Sequence, residues 1–372
     1  MKKMIFLTIL VIIGILYASP LRRGAMALLI LIDNVRPPEK AVMGKIISDP
    51  ERMPVTIPTG KKVIHADLYR PKKNGRLVPL LLVHGVDAAG KANKQLVLLA
   101  EDLARAGFMV LVPDFEGLKT LHVRISDAED VLRCFRYLTG VRNAAPRGCI
   151  MGIGYGAGPA LLAAADRRIR DEVSVVSTFG GYADLRNVML FGLTGAYEYG
   201  SHRGYAKPDA SFRWIFAYRN LDLLRSESDR ETLLKIIEKR NHYEVPAAQS
   251  LAGSLGPEGR SLHDFLANDD PGRFAQLYEK LPPAVREQVY QLSPSRAIPH
   301  ITASFIIVHG MDDFMIPYTE SMRLADAVKG SGRVQLALLP QQRPVEVSAG
   351  SVTGAWRLFT AIYGLLETTG AR

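Results

Sequence analysis

The residues most able to do chemistry are Gly152-Ile153-Gly154-Tyr155-Gly156, set between a strand-like run, Cys149 to Gly152, and a small-residue helical pattern, Gly156 to Ala165. A strand, a tight glycine turn and a helix without spacer is how a G-x-S-x-G elbow lifts a serine hydroxyl above a sheet for acyl transfer. The backbone N–H after the serine then faces the developing oxyanion. In this chain the serine position is Gly154. Glycine adopts such a turn at no steric cost, whereas a side chain adopts it under strain. The pattern therefore predicts an acyl-transfer geometry without its nucleophile. An ordinary glycine-rich turn fits the same residues, and so does a dinucleotide fingerprint. The fingerprint is disfavoured because it sits on a first βα unit, and at least three strands precede this one.

Two further segments bear on the reading. Leu80 to Gly85 (LLLVHG) is a continuous apolar strand ending in His84-Gly85, with Val86 next. Val308 to Pro317 (VHGMDDFMIP) places an acid three residues after Gly310, at Asp313 and not Asp312. With the glycine turn between them, these motifs resemble those of α/β-hydrolases, nearest to the bacterial dienelactone-hydrolase-like and esterase-like members. The resemblance spans roughly Lys62 to Glu367 and is specific as a set. It implies oxyanion donors at the Val86 and Tyr155 amides, loop ordering by His84 and Gly85, and a triad acid at Asp313.

The resemblance also implies a histidine after the acid, because the order is nucleophile, acid, base. No histidine follows His309, and the stretch past Leu339 offers Gln341, Gln342 and Arg343. Arginine stays protonated and cannot accept a proton. Loss of either the nucleophile or the base from a working serine enzyme costs on the order of 10⁶ in kcat. Candidate substitutes are Cys149, expected to be buried and inert, and the insertion histidines His202, His242 and His263. Asp87 and Lys91 are placed to reach a ligand, or form a solvated loop. Three functional readings follow: an inactive hydrolase keeping a capped pocket for a small acyl or ester-like ligand or a partner, an active hydrolase with non-standard residues, and a scaffold whose pocket is filled.

The elements expected to position these residues alternate strand and helix, which predicts a mostly parallel, doubly wound sheet. Residues 1–32 read as a hydrophobic anchor or export signal, 33–61 as linker and edge strand, 62–181 and 301–372 as the two parts of the core, and 182–300 as an inserted helical cap. Met4 to Tyr17 is apolar but short of the ~20 residues of a spanning helix, so it extends through Leu21. An uncleaved anchor makes the chain membrane-associated. The second apolar run, Ala25 to Ile32, is expected at the interface or against the first. A net charge of +10 without a basic run excludes a nucleic-acid stripe. Cys134 and Cys149 have no metal or disulfide spacing, and no cofactor or metal is expected.

Overall fold

Apolar runs that do not alternate require strands buried on both faces, and the sheet supplies them. The computed structural model describes residues 19–60, 62–72, 75–208, 210–242, 244–328, 332–340 and 352–371. Eight strands, β1 (Glu51–Pro58), β2 (Val63–Arg70), β3 (Val78–Val83), β4 (Phe108–Pro113), β5 (Gly148–Ile153), β6 (Val173–Phe179), β9 (Ser304–Gly310) and β10 (Val334–Leu339), form one sheet. Its order is β1-β2-β4-β3-β5-β6-β9-β10. β2 is antiparallel to both neighbours, and β4 through β10 are paired in parallel.

Alternate residues of the central strands feed two cores. Leu81, Val83, Ile150 and Val176 pack with one apolar layer, which includes Phe135 of α3 (Ile125–Thr139) and Leu161 of α4 (Ala157–Ala164). Leu80, Leu82, Cys149 and Val175 face the other, with residues of α1 (Ser19–Asn34), α2 (Lys94–Arg105) and α6 (Val352–Thr369). Burial on both faces makes the runs continuously apolar.

Three details differ from expectation. The S-x-x-E spacing of Ser126 and Glu129 predicts an N-cap at Ser126, but the helix is capped two residues earlier: the Arg124 N–H donates to Asp127 Oδ2 at 2.8 Å, and Glu129 instead holds Arg168. The insertion between β6 and β9 is helical but also contains a hairpin, β7 (Ala196–Tyr199) with β8 (His202–Tyr205). Finally, one face of the Ala25 to Ile32 run packs into the core of the fold. It belongs to α1, where Ala27, Ile30 and Leu31 are buried, with Ala27 and Ile30 in the second core and α6 alongside. Residues 1–18 lie outside the described residues, and no described helix is long and apolar enough to cross a membrane.

α1 is fastened by polar groups at its end. Asp33 accepts from the Val42 and Met43 amides at 2.7 and 2.8 Å, and the Asn34 amide donates to Asp102 Oδ2 at 3.3 Å. Burial pushes the Asp102 carboxyl up to about 7; the nearby Asp33 adds to this, while Arg105, at 2.8 Å, opposes it. Between its ordinary value of 3.8 and about 7, the unfolded chain has released this proton and the folded chain still holds it. The contribution of Asp102 to stability therefore falls as pH rises through that window. Urea unfolding of wild type and Asp102→Asn should diverge there, wild type weakening relative to the variant as pH increases; parallel pH profiles would refute the assignment.

Candidate active site

β5 runs directly into a turn of 3-10 helix, Gly154–Gly156, and then into α4. The three glycines of the elbow are there for different reasons. A Cβ on Gly152 would stand 2.6 Å from Ala157 Cα, and one on Gly156 would stand 2.2 Å from the His84 carbonyl oxygen. These two glycines let strand, helix and the β3 loop close on each other. Gly154 meets no such contact: its φ is +51° and a Cβ there would have no atom within 4 Å. The turn thus keeps the left-handed backbone of a nucleophile position and open space in front of it. A dinucleotide cradle is disfavoured by place: the turn follows β5, the fifth strand, and not the first βα unit.

His84 is buried and both ring nitrogens are engaged. Nδ1 donates to the Gly85 carbonyl at 2.7 Å, and Nε2 accepts from the Phe115 amide at 3.0 Å. Burial holds its pKa below the ordinary histidine value, so it is a neutral splint for the loop. Tyr155 is buried with its ring centroid 6.0 Å from that of Tyr182, and burial drives its phenol far above the usual range. Cys149 is buried in β5, its thiol pushed up to about 12, and cannot supply a thiolate at neutral pH.

Asp313 is anchored by its own loop: Oδ1 accepts from the Met315 and Ile316 amides at 2.8 and 3.0 Å. Oδ2 stands 3.6 Å from His309 Nε2. This imidazole was not singled out by its sequence, yet it is the one beside the acid. It is fully buried, with Nε2 donating to the Ile316 carbonyl at 3.0 Å and Nδ1 2.6 Å from the Ser321 hydroxyl, and burial depresses its pKa. Held this way it clamps α5 (Thr319–Ala327) to β9 and has no nitrogen left for a substrate.

Other sequence candidates are distributed elsewhere. Lys91 donates to Asp67 at 3.0 Å, while Asp87 accepts from the Ala89 amide and from Asn93 Nδ2. His242 bonds the Glu238 carbonyl, His263 lies against Asp264, and His202 against Tyr318. Gln341, Gln342 and Arg343 fall outside the described residues. Gly85, Val86, Asp87, Ile153 and Asp313 do come together, lining one cavity of about 480 Å³. The space roofed by the insertion is not that cavity. Between Tyr155, Tyr182, Phe216 and Leu292 only about 30 Å³ remains, so side chains fill the space over Tyr155, while a separate hollow of about 420 Å³ lies between β7 of the insertion and the Pro317 to Arg323 segment of the core.

The chain matches no protein-family model and no curated protein sequence. Solved structures do resemble it. Acylaminoacyl peptidase of Pyrococcus horikoshii superposes with a TM-score of 0.53 at 13% identity over 87% of this chain; the chain spans 42% of that peptidase's length. Est1E from Butyrivibrio proteoclasticus gives 0.51 at 12% identity, covering 86% of this chain and 99% of its own. A puromycin-hydrolyzing peptidase of Mycobacterium tuberculosis gives 0.50 at 15% identity, over 86% and 39% respectively. With the sheet order, the glycine elbow and these superpositions on the page, the chain is seen to have the α/β-hydrolase fold.

Proposed function

We propose that this is a hydrolase-fold protein without serine-hydrolase turnover, which retains a ligand instead of cleaving it and is held at a membrane by the apolar run before Ser19. The observation that carries the first part is the pairing of a side-chain-free Gly154 with two nearby imidazoles, His84 and His309, whose nitrogens are all engaged. Acyl transfer needs a nucleophile and a base that can take its proton. Neither is supplied by the described residues around Asp313, and no histidine follows His309 in the chain.

Purified protein should hydrolyse short-chain p-nitrophenyl esters no faster than a heat-inactivated control. Asp313→Asn should leave that background unchanged. Turnover that copurifies with the chain and disappears in Asp313→Asn would establish the active-hydrolase reading in its place. For the membrane part, the full chain should sediment with membranes and resist an alkaline carbonate wash; release into the soluble fraction overturns it.

A further inference from the structure

The cavity lined by His84, Gly85, Val86 and Asp313, though not by Gly154 or Tyr155, does not stop at the strand tips. Gly310 at the end of β9 and Ile306 lower on the same strand both line it, a depth of ~13 Å along the sheet. On the helix side it reaches from Asn93, the N-cap of α2, to Leu103 near its far end, ~15 Å. It is therefore a slot between the sheet and the layer of α1, α2 and α6, on the opposite side of the sheet from α3 and α4. We propose that this slot binds the acyl chain of a neutral ester, tail inward, with the ester group at the strand tips.

The walls specify the tail. Ile306 and Val308 of the sheet, Leu103 of α2, Ile30 of α1, and Ala361 and Leu365 of α6 give the deep part a mostly apolar surface, interrupted by Ser177 of β6, which pairs in register with Ile306. A deep, largely apolar slot of about 480 Å³ lies within the volume range of small-molecule sites and has room for a linear chain. The mouth specifies the head. Its charged groups are Asp87 and Asp313; its other polar side chains, His84 and Thr178 among them, are neutral, and the described lining contains no Lys or Arg. A free fatty carboxylate would enter next to two carboxylates with no cation to balance it, a costly arrangement in a partly desolvated site. An esterified head carries no charge and escapes that penalty. The inference rests on the proposed function in one respect, that the ester is kept intact.

The test uses the full chain, kept in solution with an amphipathic polymer in place of detergent, and titrated calorimetrically with methyl esters of saturated fatty acids of increasing length. The corresponding free acids are titrated at neutral pH. Saturable one-to-one uptake is expected, tightening about four-fold per added methylene and levelling off once the tail reaches the floor at Leu103 and Leu365. The free acids should bind about ten-fold more weakly or worse. Ala361→Trp, filling the slot from α6, should abolish uptake. Ile306→Phe, filling it from the sheet, supplies the same reading if the first variant does not fold. Absence of saturable uptake, no dependence on chain length, or acids binding as tightly as esters overturns the site. Release of free acid from a bound ester overturns only the non-catalytic reading, and absence of binding without release overturns only the slot.

Discussion

Gly156→Ala should unfold the protein under conditions where Gly154→Ser barely disturbs it, although both replace a glycine of the same turn by a small residue. At Gly156 the new Cβ would lie 2.2 Å from the His84 oxygen and 3.0 Å from both the His84 carbon and the Val83 oxygen. All three are backbone atoms, and His84 is tied to Phe115 and Gly85, so relief requires β3 and the elbow to separate. That exceeds ordinary overpacking, and a loss of ~3 kcal/mol or more is expected. At Gly154 the added atoms enter open space, and the cost is that of a left-handed non-glycine residue, ~1–2 kcal/mol. Urea midpoints of the two variants measure the contrast. If Gly154→Ser is as damaging as Gly156→Ala, the space at the elbow is not open. The serine variant has a chemical readout as well. With the His84 and His309 nitrogens engaged, its hydroxyl should not react with a fluorophosphonate probe; labelling at residue 154 would show that a base is within reach after all.

Much of this architecture is legible before any coordinates are known, because the signals are local. β3, β6 and β10 begin and end where the apolar runs Val78–Val83, Val173–Phe179 and Val334–Leu339 do. The elbow is readable because its glycines are demanded by contacts between adjacent segments of chain. The β7–β8 hairpin is not: every residue of β8 is exposed, so it leaves no alternating pattern to detect. His309 is a different case. Its partners, Ser321 and the Ile316 carbonyl, are supplied only when α5 folds back over β9, and nothing in the residue itself distinguishes a clamp from a base. The slot is hidden for a third reason. One of its walls is α1, whose apolar face reads in sequence as part of a membrane region and in three dimensions as the inner surface of the fold. The open site accordingly lies on the opposite side of the sheet from the layer expected to enclose it, and a helix that sequence assigns to the anchor helps to form it.

Glu320→Ala should cost about 3–5 kcal/mol and loosen the insertion selectively. In sequence this glutamate is an unremarkable polar residue early in α5. In the fold it is fully buried and accepts from the Ala183 amide at 3.1 Å, the Asp184 amide at 2.7 Å and Asn187 Nδ2 at 3.0 Å, with Arg323 Nε also at 3.1 Å. These donors sit where the chain leaves β6 for the insertion, so one carboxylate from the second part of the core fixes the root of the cap. Burial drives its pKa up to about 7 despite the three hydrogen-bond donors and the nearby Arg323 charge, and the Ala183 amide that would lose its acceptor is itself buried, where an unmade bond is costly. Glu320→Gln retains an acceptor oxygen and should cost less, ~1–2 kcal/mol. Hydrogen exchange at Ala183 and Asp184, and proteolysis within residues 182–300, should rise in the alanine variant while β3 and β5 stay protected. A midpoint within surface-mutation range, ±0.5 kcal/mol, would mean that the root is held by the Leu185–Ser293 and Ser295–Ala183 bonds alone. If the larger loss is found, the buried carboxyl of Glu320 is the group that holds the root of the insertion to the second part of the core.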